Sequence, residues 1–160
     1  MKNLVLVFMC LVCVTSLLAA VRQAVGPDSA GQDVADFSDK LRTIIERHLG
    51  RPYVWGGSGL KSFDCSGFVW RVMYDNGILM KRTTARKLYF CLAPVPEGKK
   101  WTFGNIVFFD DLKHCGIVAG PDSFYQSETS IGTNLSRFDP FWRPKICGVR
   151  AVKFATSAER

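Results

Sequence analysis

Apolar side chains recur at three- and four-residue intervals from Phe37 through Leu41, Ile44, Ile45 and Leu49, until Gly50 and Pro52 end the pattern. That spacing gathers them on one face and predicts a helix. A loop rich in glycine follows from Tyr53 to Lys61. Phe68, Val69, Val72 and Met73 then return to helical spacing, predicting a second helix over 65–75 that ends near Asn76-Gly77. A basic segment with Lys81, Arg82, Arg86 and Lys87 suggests a short third helix, and Pro94, Pro96 and Gly98 mark a loop. From Trp101 the pattern changes. The runs 105–110, 114–119, 123–127 and 146–154 are short, rich in β-branched and aromatic residues, and separated by turn residues. Helices first and strands second predict an α+β domain, its N-terminal helices packed on a C-terminal antiparallel sheet.

The start of the chain follows other rules. Met1-Lys2-Asn3 is a short basic beginning, Leu4 to Val14 is apolar, and Thr15 to Ala20 supplies small residues for cleavage. Residues 1–20 therefore read as a signal peptide processed near Ala20, which implies a secreted or periplasmic protein with no membrane span after cleavage. An uncleaved anchor is the rival reading, since apolar character continues to Val21, although Thr15 and Ser16 interrupt it. Cys10-Leu-Val-Cys13 has redox C-x-x-C spacing but lies inside the apolar run, so it is discarded. Residues 21–35 are small and polar and broken by Gly26-Pro27, which reads as a flexible leader ahead of a domain at 36–156.

The chain has 160 residues, 48% of them apolar, enough for one globular domain with a real core. Its formal charge is +7. The basic residues are scattered, with no run interleaved with aromatics, so no nucleic-acid partner is expected. Solubility explains the charge most simply, and affinity for a polyanionic wall is the more specific reading. There is no repeat and no second domain, and a monomer is expected.

Cysteine usage changes the picture further. Beyond the signal stand Cys65, Cys91, Cys115 and Cys147, whose irregular spacing does not look like a disulfide framework, though one bridge such as Cys91 with Cys147 is compatible with it. The two histidines, His48 and His114, lack partners at metal-ligand spacing, so neither a metal nor another cofactor is expected. His48 falls at the end of the first helix and reads as structural. Cys65 falls at the start of the second, where unpaired N–H groups and the helix dipole lower a thiol pKa and could stabilise an oxyanion.

His114 is then the candidate base. It opens a strand, and alternation puts it on one face with Gly116 and Val118, leaving Cys115 and Ile117 on the other. A three-residue turn at Gly120-Pro121-Asp122 would pair Gly116 with Gln126, placing Gln126 diagonal to His114 on the same face. A two-residue turn would reverse that parity. Glu128 shares Gln126's parity and is the reserve candidate. By spacing alone, Cys65 remains either a nucleophile or a buried core thiol.

At these residues the chain resembles a known family. Tyr53-Val-Trp-Gly-Gly57, Phe63-Asp-Cys-Ser-Gly67, Gly104-Asn-Ile-Val-Phe-Phe109 and His114-Cys-Gly-Ile-Val-Ala-Gly120 are similar to the successive motifs of the NlpC-type cell-wall cysteine peptidases. The resemblance runs from about residue 36 to residue 154. It implies a papain-like fold and hydrolysis of amide bonds in peptidoglycan stem peptides, usually between D-glutamate and the diamino acid. It further implies Cys65 as nucleophile, His114 as base, and Tyr53, Asp64 and Ser66 as residues lining the substrate site. Trp55 reads as packing. The third polar position, commonly histidine in the family, holds Gln126; Asn105 stands for a common aspartate and Cys115 for a common aliphatic residue.

Two other readings keep the same fold. One is an amidase toxin or an acyl-transferring relative. The other is a non-catalytic wall-binding module that retains the cleft, a reading kept open by Gln126. Asn134-Leu-Ser136 would be a glycosylation acceptor in a eukaryotic secretory pathway and has no meaning in a bacterium.

Overall fold

The computed structural model of the chain describes residues 28–153. The expected signal peptide and most of the expected leader lie outside the described residues, as do Cys10 and Cys13. Residues Asp36–Phe154 form one compact unit, which holds the sheet and every site residue described below.

Helix α1 spans Asp28–Arg47, so it begins inside the segment expected as leader. Asp28 and Ser29 favour a helix start, and Ala30, Gln32 and Ala35 propagate it. Helix α2 is Cys65–Asp75 and α3 is Ala85–Cys91. Six strands follow: β1 (Ala93–Pro94), β2 (Ile106–Phe109), β3 (His114–Gly120), β4 (Ser123–Glu128), β5 (Gly132–Arg137) and β6 (Ile146–Ala151). They form one antiparallel sheet in the order β1-β6-β2-β3-β4-β5. The α+β expectation is met. No helix among the described residues is long and apolar enough to cross a membrane.

Strand β5 was not legible in the sequence. Its residues, GTNLSR, are poor strand formers, and it exists because all six of its positions pair with β4, from Ser123↔Arg137 to Glu128↔Gly132. Conversely, β2 is buried on both faces, so Ile-Val-Phe-Phe shows no alternation.

The sheet carries apolar residues on each face. Phe108, Cys115, Ile117 and Tyr125 face the helices and pack with Leu41, Ile45, Phe68, Val72 and Leu88. On the opposite face Val107, Phe109, Val118 and Phe124 gather Phe138, Trp142 and Val149. Each fully buried phenylalanine stabilises the fold by up to about 2–3 kcal/mol. His48 is buried just beyond α1, with Nε2 2.8 Å from Asp75 Oδ2 and its ring edge-on to Phe63, so it ties α1 to α2.

Candidate active site

Asp64 begins the site. Its extended backbone (φ −88°, ψ 177°) makes it the N-cap of α2, and the residue after it, Cys65, opens the helix. One carboxylate oxygen, Oδ1, accepts from the Gly67 amide at 2.6 Å and the Ser66 hydroxyl at 3.0 Å. The other accepts from the Gly56 amide at 2.9 Å and from Arg82 Nη2 at 2.7 Å. All four acceptor positions are thus filled from within the chain, and the glycine-rich loop is clamped to the start of α2. Close packing enforces the glycines there. A Cβ on Gly67 would stand 1.9 Å from the Gly57 carbonyl oxygen, closer than any real contact.

His114 reaches the site through a tight β2–β3 connection. Asp110, Asp111 and Leu112 all have left-handed φ (51°, 52° and 67°), a costly run for non-glycine residues, and it delivers His114 directly opposite Phe109. The β3–β4 register is Gly116↔Gln126, with Ile117↔Tyr125 and Val118↔Phe124. The pairing is the expected one, but the turn is not: Gly120 pairs with Ser123 across the two residues Pro121-Asp122, and an irregularity between Val118 and Gly120 restores the parity that a two-residue turn alone would reverse. His114 Nε2 lies 2.6 Å from Gln126 Oε1 across the diagonal. The absent side chain at Gly116 leaves room for that reach, since a Cβ there would meet the Tyr125 carbonyl oxygen at 2.6 Å.

The amide of Gln126 is itself fixed. Its Nε2 donates to Ser136 Oγ at 2.7 Å and to Glu128 Oε2 at 3.3 Å, and the Ser136 hydroxyl donates to Asn134 Oδ1 at 2.6 Å. With acceptors on its nitrogen side, Oε1 must face the imidazole. The proton therefore sits on Nε2 of His114, leaving Nδ1 for Cys65. Gln126 is wholly buried. Glu128 does not replace Gln126; it stands behind it.

The electrostatics centre on Cys65, whose Sγ lies 3.9 Å from the Lys113 carbonyl oxygen. Its pKa is brought down to about 5. A hydrogen bond from Cys115 contributes most; burial and Asp64 oppose the shift, and the bond and charge of His114 add to it. Cys115 is pushed well up, because it is the donor in that bond and is fully buried. Burial disfavours the His114 imidazolium, but the bond and charge of Cys65, the Gln126 bond and Asp110 outweigh this, and its pKa is raised. Both shifts favour a thiolate–imidazolium pair. Burial, then the negative charges of Cys65 and Asp64, raise the Tyr53 phenol, so it remains an O–H donor near the thiolate.

The structure thus brings Cys65, His114, Gln126 and Tyr53 together, with Asp64 and Ser66 beside Cys65. Trp55 does not pack: it is 85% exposed on the turn at Gly56, because the loop's hydrogen bonds close beneath it. Cys91 and Cys147 are exposed free thiols, and Cys65 and Cys115 are free and buried, so the bridge compatible with the spacing is not formed. Arg82, Ser136 and Trp142 were missed. Arg82 sits in the basic segment noted from composition, but nothing local to it signals a carboxylate partner 18 residues away. A groove of about 750 Å³ lined by Ile78, Met80, Leu88, Phe90 and Cys91 lies apart from Cys65, His114 and Gln126.

Fold and site together define a papain-like α+β domain with a buried cysteine–histidine centre. The model of the NlpC/P60 family matches residues 50–151, and the chain belongs to that family. It is 40% identical over 78 residues to "Probable endopeptidase p60" of Listeria seeligeri, covering 47% of this chain and 14% of that protein. It is 32% identical over 133 residues to "Probable endopeptidase YafL" of Escherichia coli K12, covering 72% of this chain and 53% of that one. The chain therefore spans about half or less of the length of these relatives. In fold it is similar to an NLP/P60-family lipoprotein-like protein of Staphylococcus aureus Mu50. The TM-score is 0.66 at 24% identity, covering 75% of this chain and 42% of that one.

Proposed function

We propose that this protein is a secreted or periplasmic cysteine endopeptidase that hydrolyses amide bonds in peptidoglycan stem peptides, at the D-glutamyl–diamino acid bond. The observation that carries the reading is the pairing of a Cys65 thiol with pKa about 5 and a His114 imidazole held by Gln126 at 2.6 Å. The names of the relatives, both endopeptidases, support the reaction class. Residues 1–20 are proposed as the signal that sends the chain to the wall, and residues 36–156 as the catalytic domain.

In the proposed reaction the Cys65 thiolate attacks the amide carbonyl carbon, and the carbonyl electron pair moves to oxygen. The Cys65 backbone N–H at the helix start, aided by the Tyr53 hydroxyl, receives that oxyanion. Collapse breaks the C–N bond, and the leaving amine takes the proton of the His114 imidazolium. The neutral imidazole then draws a proton from water, which attacks the thioester and releases the carboxylate and the thiolate. Gln126 keeps the imidazole in one tautomer throughout. Tyr53, Asp64 and Ser66 line the substrate side. Asp64 acts there through the loop and helix it joins, since its oxygens are already engaged.

Digestion of isolated cell walls by the wild type and by Cys65→Ala, read by mass spectrometry of the released muropeptides, tests the proposal. New stem-peptide ends are expected with the wild type alone. Equal release by Cys65→Ala would overturn it.

A further inference from the structure

An imidazole that alternates between base and acid has to be held by its edge and by its faces, and Gln126 holds only the edge. The indole of Trp142 covers one face, with ring centroids 5.3 Å apart and planes inclined by 24°. Among the described residues, every other ring contact of Trp142 is edge-on or nearly so: Phe109 at 61°, Phe124 at 80° and Phe141 at 88°. Packing in the second core cluster explains why Trp142 is buried. It does not by itself explain why the one ring met face to face is that of His114.

The indole is also fixed from its backbone. Asp139 Oδ1 accepts from the amides of Phe141 and Trp142, each at 2.9 Å, and the Asp139 carbonyl accepts from Arg143 at 2.9 Å. This turn closes the backbone around Trp142. The edge-on phenylalanines leave the side chain no space to swing, and it is 8% exposed.

We propose that Trp142 is a positioning residue for His114: its indole face holds the imidazole in the plane that meets Gln126 and Cys65, keeps water from the His114–Gln126 bond, and favours imidazolium over neutral imidazole. The inference rests on the cysteine–histidine reading above. Stacking restricts rotation of the histidine ring, and the negative face of an indole attracts a cation. No bond is made or broken at Trp142. The charged groups around the imidazole are Cys65 from α2, Asp110 from the β2–β3 turn and Glu128 of β4 acting through Gln126. Lys145 stands 5.3 Å from the indole ring and 3.2 Å from that of Phe141. A change of ring at position 142 leaves all of them in place.

The test is the pH dependence of Cys65 alkylation by iodoacetamide in the full chain, followed site by site by peptide mass spectrometry because Cys91 and Cys147 are exposed thiols that react as well. Trp142→Leu should lower the Cys65 rate just above its pKa by about fivefold and move the midpoint to higher pH. Trp142→Phe should restore most of the loss. A folded Trp142→Leu with the wild-type profile overturns the proposal, whatever its melting temperature. Should Trp142→Leu not fold, the wild type decides: a stacked indole shifts the His114 imidazole proton resonances upfield, and unshifted resonances overturn the proposal equally. A Cys65 that is unreactive in the wild type, by contrast, overturns the cysteine-peptidase reading itself.

Discussion

His114 and Gln126 face each other across the β3–β4 diagonal at 2.6 Å, and the glutamine has no freedom to turn its amide round. A neutral carboxamide adds no charge to the imidazole, so its contribution is orientation. Ser136 and Glu128 make that orientation unambiguous.

Gln126→Ala should lower kcat/KM on muropeptides by about ten- to a hundredfold while the protein remains folded, because the imidazole loses its tautomer and its plane. Gln126→His should retain most of the activity. Ser136→Ala, which removes one support of the amide, should cost about two- to fivefold. Steady-state rates on a purified stem peptide distinguish these outcomes, and an undiminished Gln126→Ala would remove Gln126 from the site.

Activity should follow a bell in pH. Its acid limb rises as Cys65 ionises through about 5, and its alkaline limb falls where His114, whose pKa is raised, loses its proton. Folding is linked to the same protons. Cys65 is depressed from the ordinary thiol value of 9.0, so its stabilisation is complete above that value and is lost as pH falls toward about 5. His114 is raised, so its stabilisation is complete below the ordinary histidine value and is lost as pH climbs through the raised one. Denaturant melts of wild type and Cys65→Ser across this range should diverge toward neutral pH; parallel curves would contradict the ion pair.

Gly67→Ala should destabilise the protein by roughly 2–4 kcal/mol, since its Cβ would meet the Gly57 carbonyl oxygen, a backbone atom, at 1.9 Å. Urea unfolding measures it, and a change within about 0.5 kcal/mol would mean that the loop lies farther from α2.

Arg82→Ala leaves the Asp64 carboxylate, 10% exposed in its side chain, without its cation. The expected loss is about 1–3 kcal/mol, moderated because the Arg82 side chain is itself 26% exposed. Arg82→Lys should recover only part, because a single ammonium cannot reproduce a fork that spans Asp64 and Ser66. Thermal unfolding of the two variants checks the order.

The site was partly legible because some of its geometry is local. A period change near Trp101, a cysteine at the start of one helical pattern and a histidine at the start of one strand pattern can all be read from neighbours. The β3–β4 register came out as expected only because an irregularity between Val118 and Gly120 offsets a two-residue turn, which no local pattern announces. Strand β5 could not be read in this way. Its residues prefer turns, and only the ladder to β4 makes them a strand. The expected leader at 21–35 is helical from Asp28 onward, because the small residues Ser29, Ala30 and Ala35 do not oppose the helix that the apolar stripe from Phe37 anchors.

The sequence by itself determined the α+β order of elements and the placement of Cys65 and His114 at element starts. These follow from periodicity and chirality, which act over a few residues. Only the tertiary structure decided which distant groups complete the site: Arg82 behind Asp64, Cys115 buried beside Cys65, Ser136 behind Gln126, and Trp142 against the face of His114. Each joins elements through packing or a buried hydrogen bond. Such contacts are set by the closing of the whole core, and no local pattern in the chain encodes them.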